Sequence, residues 1–277
     1  MRHDRNLLAA SVCINFACSL TASAAFAVLP LEEEARLHLG RWHLGSILGS
    51  LSLAYAPACL CSGALATRVG CKRLALGGIF VTAASAAAFG LAEQPASLYA
   101  ARMAQGVGTA AGEVGIMALV AVRCHEDVVG RITALLEVAH GVGWAVGPPL
   151  AGLLYQSFGF AATFAACAGL CVLAGGVSAL VLAAVPDAAQ AEEPPSLKTV
   201  ARAGPGVLPT VLVTVVFFAA QDLLFANITA RVPRLAPTFE RFPFFWGFFW
   251  FPALRLPFTS FTSYAGWRAL AFVLIAR

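Results

Sequence analysis

Residues 132–185 read ITALLEVAHGVGWAVGPPLAGLLYQSFGFAATFAACAGLCVLAGGVSALVLAAV, and Glu137 and His140 are their only acidic or basic side chains. A helix needs about 20 consecutive apolar residues to cross a bilayer, so this stretch is long enough for two crossings. Strand alternation is absent, and an isolated strand could not satisfy its backbone hydrogen bonds in lipid. The stretch therefore predicts two membrane-spanning helices.

The rest of the chain has the same character, with 60% hydrophobic and 12% charged residues in a total of 277. Soluble domains carry roughly a quarter charged residues, so these charges are too few to cover a water-exposed surface. The fold class predicted is all-α, a polytopic protein within a lipid bilayer. We predict spans at 7–29, 42–66, 72–93, 97–121, 131–155, 160–185 and 206–230.

The first long hydrophilic connection, 186–205, predicts a linker between two membrane units. It divides the chain into a six-span bundle at 1–185 and a partial second unit at 206–277 with an aromatic-rich tail. Basic residues in short loops stay on the cytoplasmic side. Most of them fall on the side of the N-terminus and the linker, which predicts that both are cytoplasmic; the membrane, vesicular or plasma, stays open. They are Arg2, Arg5, Arg68, Lys72, Arg73, Arg123, Arg131, Lys198 and Arg202.

The fourth predicted span carries a polar stripe at i, i+3, i+4, i+7 and i+11. Its members are Arg102, Gln105, Gly106, Thr109 and Glu113. A charge near the middle of a bilayer costs at least a few kcal/mol, so the stripe should face the protein interior or a watery cavity. Two interpretations stay open, a transport pathway in which Glu113 binds a cation or proton, and a buried structural network.

The fifth span places Glu137, His140 and Trp144 on one face. A carboxylate one turn from a histidine in apolar surroundings suits a proton acceptor that works near neutral pH. The alternative is a hydrogen bond between helices. In the same span Gly143 and Gly147 form a small-xxx-small pair that allows close helix approach, and Pro148 with Pro149 is expected to bend the helix.

Two further polar residues interrupt apolar spans. Asp222 in the seventh span is interpreted either as a ligand for a cationic substrate or proton, or as a solvated residue near the interface. Asn15 in the first span is either a substrate contact or a helix-packing residue. No signature of an enzyme appears, since Gly106-Val-Gly108 lacks the strand that a nucleotide loop requires. The scattered net charge of +4 indicates no nucleic-acid surface, and the cysteines show no metal-ligand spacing.

Residues 63–73, GALATRVGCKR, resemble the cytoplasmic loop motif G-x-L-a-D-R-x-G-R-K of the major facilitator superfamily. The matching residues are Gly63, Arg68, Gly70, Lys72 and Arg73. Thr67 stands where that family has an aspartate, and Cys71 replaces a basic residue. Arg102 with QGVG at 105–108 resembles the fourth-span motif R-x-x-Q-G-x-G, whose arginine is linked in the family to proton transfer.

A third resemblance lies in the fifth span, where Gly143, Gly147, Pro148 and Gly152 match the glycine-proline motif of the family's proton-driven antiporters. The continuation to residue 159 looks most like the vesicular amine transporter branch, including its polyamine-transporting members. The resemblance implies two six-helix bundles with a substrate site between them at mid-membrane. Here it covers one complete bundle and part of a second.

The function expected from this resemblance is proton-coupled antiport of organic cations, such as amines, driven by a proton gradient and without a cofactor. The small cationic substrate would compete with protons for the carboxylates of the pathway. The residues assigned to it are Asn15, Arg102, Gln105, Glu113, Glu137, His140 and Asp222. The rival hypotheses are a non-transporting membrane protein and a half-transporter that acts only as an oligomer, and the sequence does not decide on a homo-oligomer.

Overall fold

A computed structural model of the chain describes residues 2–32, 41–124 and 126–185. They form α1 (Arg2–Glu32), α2 (Arg41–Val69), α3 (Cys71–Gly90), α4 (Pro95–Arg123) and α5 (Glu126–Leu182). Each helix contains a segment long and apolar enough to cross a membrane. The all-α membrane fold class is therefore confirmed. The linker at 186–205, the unit at 206–277 and Asp222 lie outside the described residues, so the domain division stays a prediction.

The segment α5 consists of two helices joined at a kink, and it contains two spans. Gly159 is its residue with non-helical torsions, with φ 80° and ψ −178°. This region of backbone space is essentially restricted to glycine. Pro148 and Pro149 lie within the first of these helices, and the bend expected there stays a prediction; the residue with non-helical torsions is Gly159.

The chain reverses at this glycine, as the pairing of each half of α5 with α1 shows. In the first half, residue numbers in α1 and α5 rise together; in the second half they run in opposite directions. The pairs are Ser19–His140 and Glu32–Tyr155 in the first half, and Thr21–Cys171, Ala10–Ser178 and Asn6–Val181 in the second. The predicted spans at 131–155 and 160–185 therefore correspond to the two antiparallel halves of α5.

Glycine contacts bring α3 and α4 backbone to backbone. A Cβ atom on Gly78 would lie 2.2 Å from the Gly112 nitrogen, and one on Gly115 would lie 2.5 Å from the Ala75 nitrogen. Small residues at such points let membrane helices approach closely. Close approach matters because helices in lipid associate through van der Waals packing and not through the hydrophobic effect. The close approach fixes the rotation of α4 and thus the direction of its polar stripe.

Two apolar clusters fill the interior and leave a layer between them. Along α4, one cluster ends at Ala101 and the other begins at Ile116. Along α1, they meet on either side of Ser19, with Cys18 in one cluster and Leu20 in the other. Residues 102–115 of α4 therefore lie in a middle layer, which contains the polar groups described next.

Candidate functional site

The polar stripe of α4 faces the interior of the bundle, as predicted. Arg102 is fully buried, and Gln105, Thr109 and Glu113 are also buried. Ala104 and Val107 on the opposite side of the helix are exposed. The α-helical period alone thus identified the inward face correctly.

Arg102 is held by fixed partners at one end of this stripe. Its Nη1 donates to Gln105 Oε1 at 2.6 Å, and its Nη2 donates to the Ala22 carbonyl of α1 at 3.0 Å. The guanidinium carbon lies 5.6 Å from the ring centre of Phe26 and 6.0 Å from that of Phe89. Cations are attracted to aromatic faces at this range. Arg102 therefore ties α1 and α3 to α4.

Glu113 lies at the other end of the stripe, where four helices contribute polar side chains. The Tyr55 hydroxyl of α2 donates a hydrogen bond to Glu113 Oε2 at 2.6 Å. His140 Nδ1 of α5 lies 3.7 Å from Glu113 Oε1 and 2.6 Å from the Ser19 hydroxyl of α1. We call Ser19, Tyr55, Glu113 and His140 the central cluster. It joins a carboxylate, an imidazole and two hydroxyls, groups that can exchange protons or bind a cation.

Glycines permit these helices to approach closely enough for the cluster to form. A Cβ on Gly106 would lie 2.3 Å from the Leu51 carbonyl oxygen, one turn from Tyr55 in α2. A Cβ on Gly143 would lie 2.8 Å from Ser19 Cβ. Gly147 likewise lies against α1, whereas Gly63 and Gly152 have nothing within 4 Å of a Cβ position.

Comparison with known proteins adds the family. The profile of the Major Facilitator Superfamily matches residues 11–276. The chain belongs to this superfamily. This match confirms the family predicted from the three motifs. Members of the superfamily are transporters and not enzymes. Together with the apolar helices, the match shows that the chain is an integral, multi-pass membrane protein.

Relatives in this superfamily include the MFS-type transporter SLC18B1 of Rattus norvegicus and that of Mus musculus. Each is 28% identical over 165 residues, which cover 57% of this chain and 36% of the relative. The Homo sapiens protein is 28% identical over 128 residues, 44% of this chain and 28% of that protein. The match thus spans about a third of the length of these relatives, and it supports the vesicular amine transporter-like branch.

One solved structure is similar to this chain in fold. The crystal structure of an auto-inhibited POT family peptide transporter matches with a TM-score of 0.55 and 15% sequence identity. The match covers 99% of this chain and 57% of that one. At this identity, it shows the fold alone.

The superfamily's loop motif forms the turn between α2 and α3. Gly70 joins the two helices with φ 99°, a conformation that favours glycine. Lys72 Nζ donates to the Val185 carbonyl at 3.3 Å, just beyond the end of α5, while Arg68 and Arg73 are exposed. Thr67, at the position of the family's aspartate, bonds the Ala64 carbonyl within its own helix at 2.9 Å.

The remaining predicted residues lie in different places. Glu137 is half-buried, one turn from His140 on α5. Asn15 is fully buried in α1. Trp144 packs on Phe26, with ring centres 5.5 Å apart. Across the described ranges, no three His, Cys, Asp or Glu side chains form a group that could hold a metal ion.

Sequence reasoning missed Tyr55 and Ser19. Tyr55 is the only tyrosine of the predicted span 42–66 and lies near its middle, which was an available signal. Ser19 had none, because serines are common in the first span and bond their own helix, as Ser11 does with the Leu7 carbonyl at 2.7 Å.

Proposed function

We propose that this chain carries the cation- and proton-binding bundle of a proton-coupled antiporter of organic cations. The observation that carries the proposal is the central cluster, in which side chains of two other helices, Tyr55 and His140, meet one buried carboxylate. Ser19 of a third helix bonds His140. An ionisable residue at membrane depth is costly and is by default a functional site. Glu113 is the acid at the centre of this arrangement.

Exchange works by competition at Glu113. The ionised carboxylate holds an organic cation, and a proton that binds the same oxygens removes the charge that holds the cation. Tyr55 donates to one carboxylate oxygen, and His140 lies beside the other, so both orient the group. Either Ser19 or His140 can donate the hydrogen bond between them, and the direction of that bond corresponds to the tautomer of His140.

Arg102 serves in this proposal as a positioning residue. Its donors bond the Ala22 carbonyl and Gln105, and two aromatic rings cover it. Glu137 and Asp222 remain proposed further acids of the pathway. The similarity to transporters of the SLC18B1 type supports a small-molecule substrate, and an amine is the class that fits an anionic site.

We also propose that the N-terminus is cytoplasmic. The exposed side chains of Arg5, Arg68, Arg73, Arg123 and Arg131 lie at the same end of the bundle, because the helices alternate in direction. The positive-inside rule assigns that end to the cytoplasm. Labelling of single cysteines at both ends of the bundle in intact membranes tests this orientation.

Uptake into proteoliposomes tests the role of Glu113. The full chain is reconstituted, a pH gradient is imposed, and accumulation of a labelled amine is measured for Glu113→Gln and the matched control Glu93→Gln. Glu93 is an exposed acid between α3 and α4. We expect Glu113→Gln to abolish gradient-driven uptake and Glu93→Gln to retain it. Equal uptake by wild type and Glu113→Gln would overturn the assignment.

The second candidate is a half-transporter that works as an oligomer, or a non-transporting protein. Native mass measurement in detergent, combined with the uptake assay, separates the cases. An oligomer that accumulates amine supports the half-transporter, and a monomer without uptake supports the non-transporting protein.

A further inference from the structure

Asn15 is a buried polar side chain whose hydrogen-bonding capacity is not used by the described part of the chain. It is 0% exposed, and neither Oδ1 nor Nδ2 has a hydrogen-bond partner among the described residues. The great majority of buried polar side-chain atoms in proteins are hydrogen-bonded, because an unmatched group loses its bonds to water without replacement. An exception of two atoms in one amide calls for a ligand or a structural reason.

The face of α1 that carries Asn15 is the face that contacts the candidate site. Asn15, Ser19, Ala22 and Phe26 follow each other at i, i+4, i+7 and i+11, so they form one stripe. Ser19 bonds His140, the Ala22 carbonyl accepts from Arg102, and Phe26 packs on Trp144. Asn15 is thus the next member of the stripe, one turn from the central cluster.

The packing of α1 on α4 places this amide near Glu113. Ile14, which precedes Asn15, has its Cγ2 atom 3.6 Å from the position of a Cβ on Gly112, which precedes Glu113. Asn15 and Glu113 therefore lie at similar depth on the two neighbouring helices. The amide oxygen adds a neutral acceptor at a depth similar to that of the carboxylate.

We propose that Asn15 is a specificity-determining residue that binds an N–H group of the cationic substrate through its amide oxygen. The inference rests on the proposed organic-cation function and narrows it. A carboxylate attracts every cation through its charge and also accepts hydrogen bonds from N–H groups. An amide oxygen is uncharged and contributes only through a hydrogen bond, so it adds to the preference for cations that have an N–H group. The site therefore takes primary and secondary ammonium ions and disfavours quaternary ammonium ions, which have no N–H.

Discrimination arises from the cost of leaving the amide unmatched. A site built to hydrogen-bond a ligand rejects an analogue without that donor, because the buried polar group then stays unpaired. One hydrogen bond to a charged group corresponds to roughly a 10-fold difference in affinity. The same argument predicts that Asn15 lowers the stability of the ligand-free protein, since its buried amide has no partner among the residues that the structure describes.

A binding experiment on the purified full chain in detergent tests the inference. The probes are butylammonium and its N-trimethylated analogue, and their affinities are measured by ligand-dependent shifts of the thermal midpoint. The variants are Asn15→Leu and the matched control Asn6→Leu. Asn6 lies on the opposite face of α1 and donates to the Val181 carbonyl at 3.4 Å. If Asn15→Leu does not fold, Asn15→Ala replaces it.

We expect wild type and Asn6→Leu to bind butylammonium more tightly than the trimethylated probe, by about 10-fold or more. Asn15→Leu should reduce this ratio about 10-fold and raise the midpoint without ligand, whereas Asn6→Leu should lower that midpoint. Equal binding of both probes by wild type, or an unchanged ratio in Asn15→Leu, would overturn the role of Asn15 while leaving organic-cation binding intact. If neither probe binds wild type, the proposed function fails as well.

Discussion

Gly143→Ala tests whether the contact between α1 and α5 builds the central cluster. The added Cβ would lie 2.8 Å from Ser19 Cβ, 2.9 Å from the Phe16 carbonyl oxygen and 3.0 Å from the Leu20 nitrogen. Ordinary contacts begin at 3.4 Å, so α1 must move away by about 0.5 Å. Two of the three neighbours are backbone atoms, which cannot rotate aside. Overpacking of this kind costs about 1–3 kcal/mol.

The movement occurs at the residue that bonds His140, so function should fall with stability. We expect the thermal midpoint of Gly143→Ala to drop by about 3–10 °C. The matched control is Gly141→Ala in the same helix, where nothing lies within 4 Å of the added Cβ. Its midpoint should be unchanged or slightly raised, since alanine is the better helix former. The thermal midpoints of both variants are measured by size-exclusion chromatography after heating. Equal midpoints for Gly143→Ala and Gly141→Ala would refute the close approach of α1 and α5 at Gly143.

Two other substitutions isolate single features. Tyr55→Phe removes the hydroxyl that donates to Glu113 and should weaken gradient-driven amine uptake about 10-fold. The control Tyr99→Phe removes a hydroxyl elsewhere in the bundle and should leave uptake unchanged. Uptake rates that fall equally in both variants would contradict the role of Tyr55. Gly159→Ala meets no neighbouring atom but forces an alanine to φ 80°, which should lower stability by about 1–3 kcal/mol in a thermal or chemical unfolding assay. Gly152→Ala, also without neighbours, should lower it little, and a Gly159→Ala protein as stable as Gly152→Ala would remove the strain argument.

The spans could be predicted from the sequence because bilayer thickness fixes the length of an apolar helix. The predicted 97–121 corresponds to α4 at Pro95–Arg123, and 72–93 to α3 at Cys71–Gly90. The inward face of α4 followed from the helical period, since charged groups avoid lipid. Span length and helical period depend only on residues that are close together in the sequence, so a single sequence is enough to predict them.

The central cluster could not be predicted because it depends on the rotation and depth of one helix against another. Gly141 and Gly143 are similar in sequence context, yet only Gly143 lies against α1. His140 was expected to act with Glu137 on its own helix, and the structure adds Glu113 of α4 at 3.7 Å. Which polar groups of different spans meet is decided by such backbone contacts, and periodicity within one span does not report them.

The contacts of the two buried charged residues of α4 indicate that their roles differ. Arg102 bonds a backbone carbonyl and a neighbouring amide, and neither group can take its proton. Glu113 meets a hydroxyl and an imidazole, both of which can rearrange their hydrogens as the carboxylate gains or loses a proton. If folding alone governed this layer, apolar residues like those of the two flanking clusters would fill it at lower cost. The polar layer therefore supports the proposed exchange of protons and cations at Glu113, with Arg102 as the proposed positioning residue.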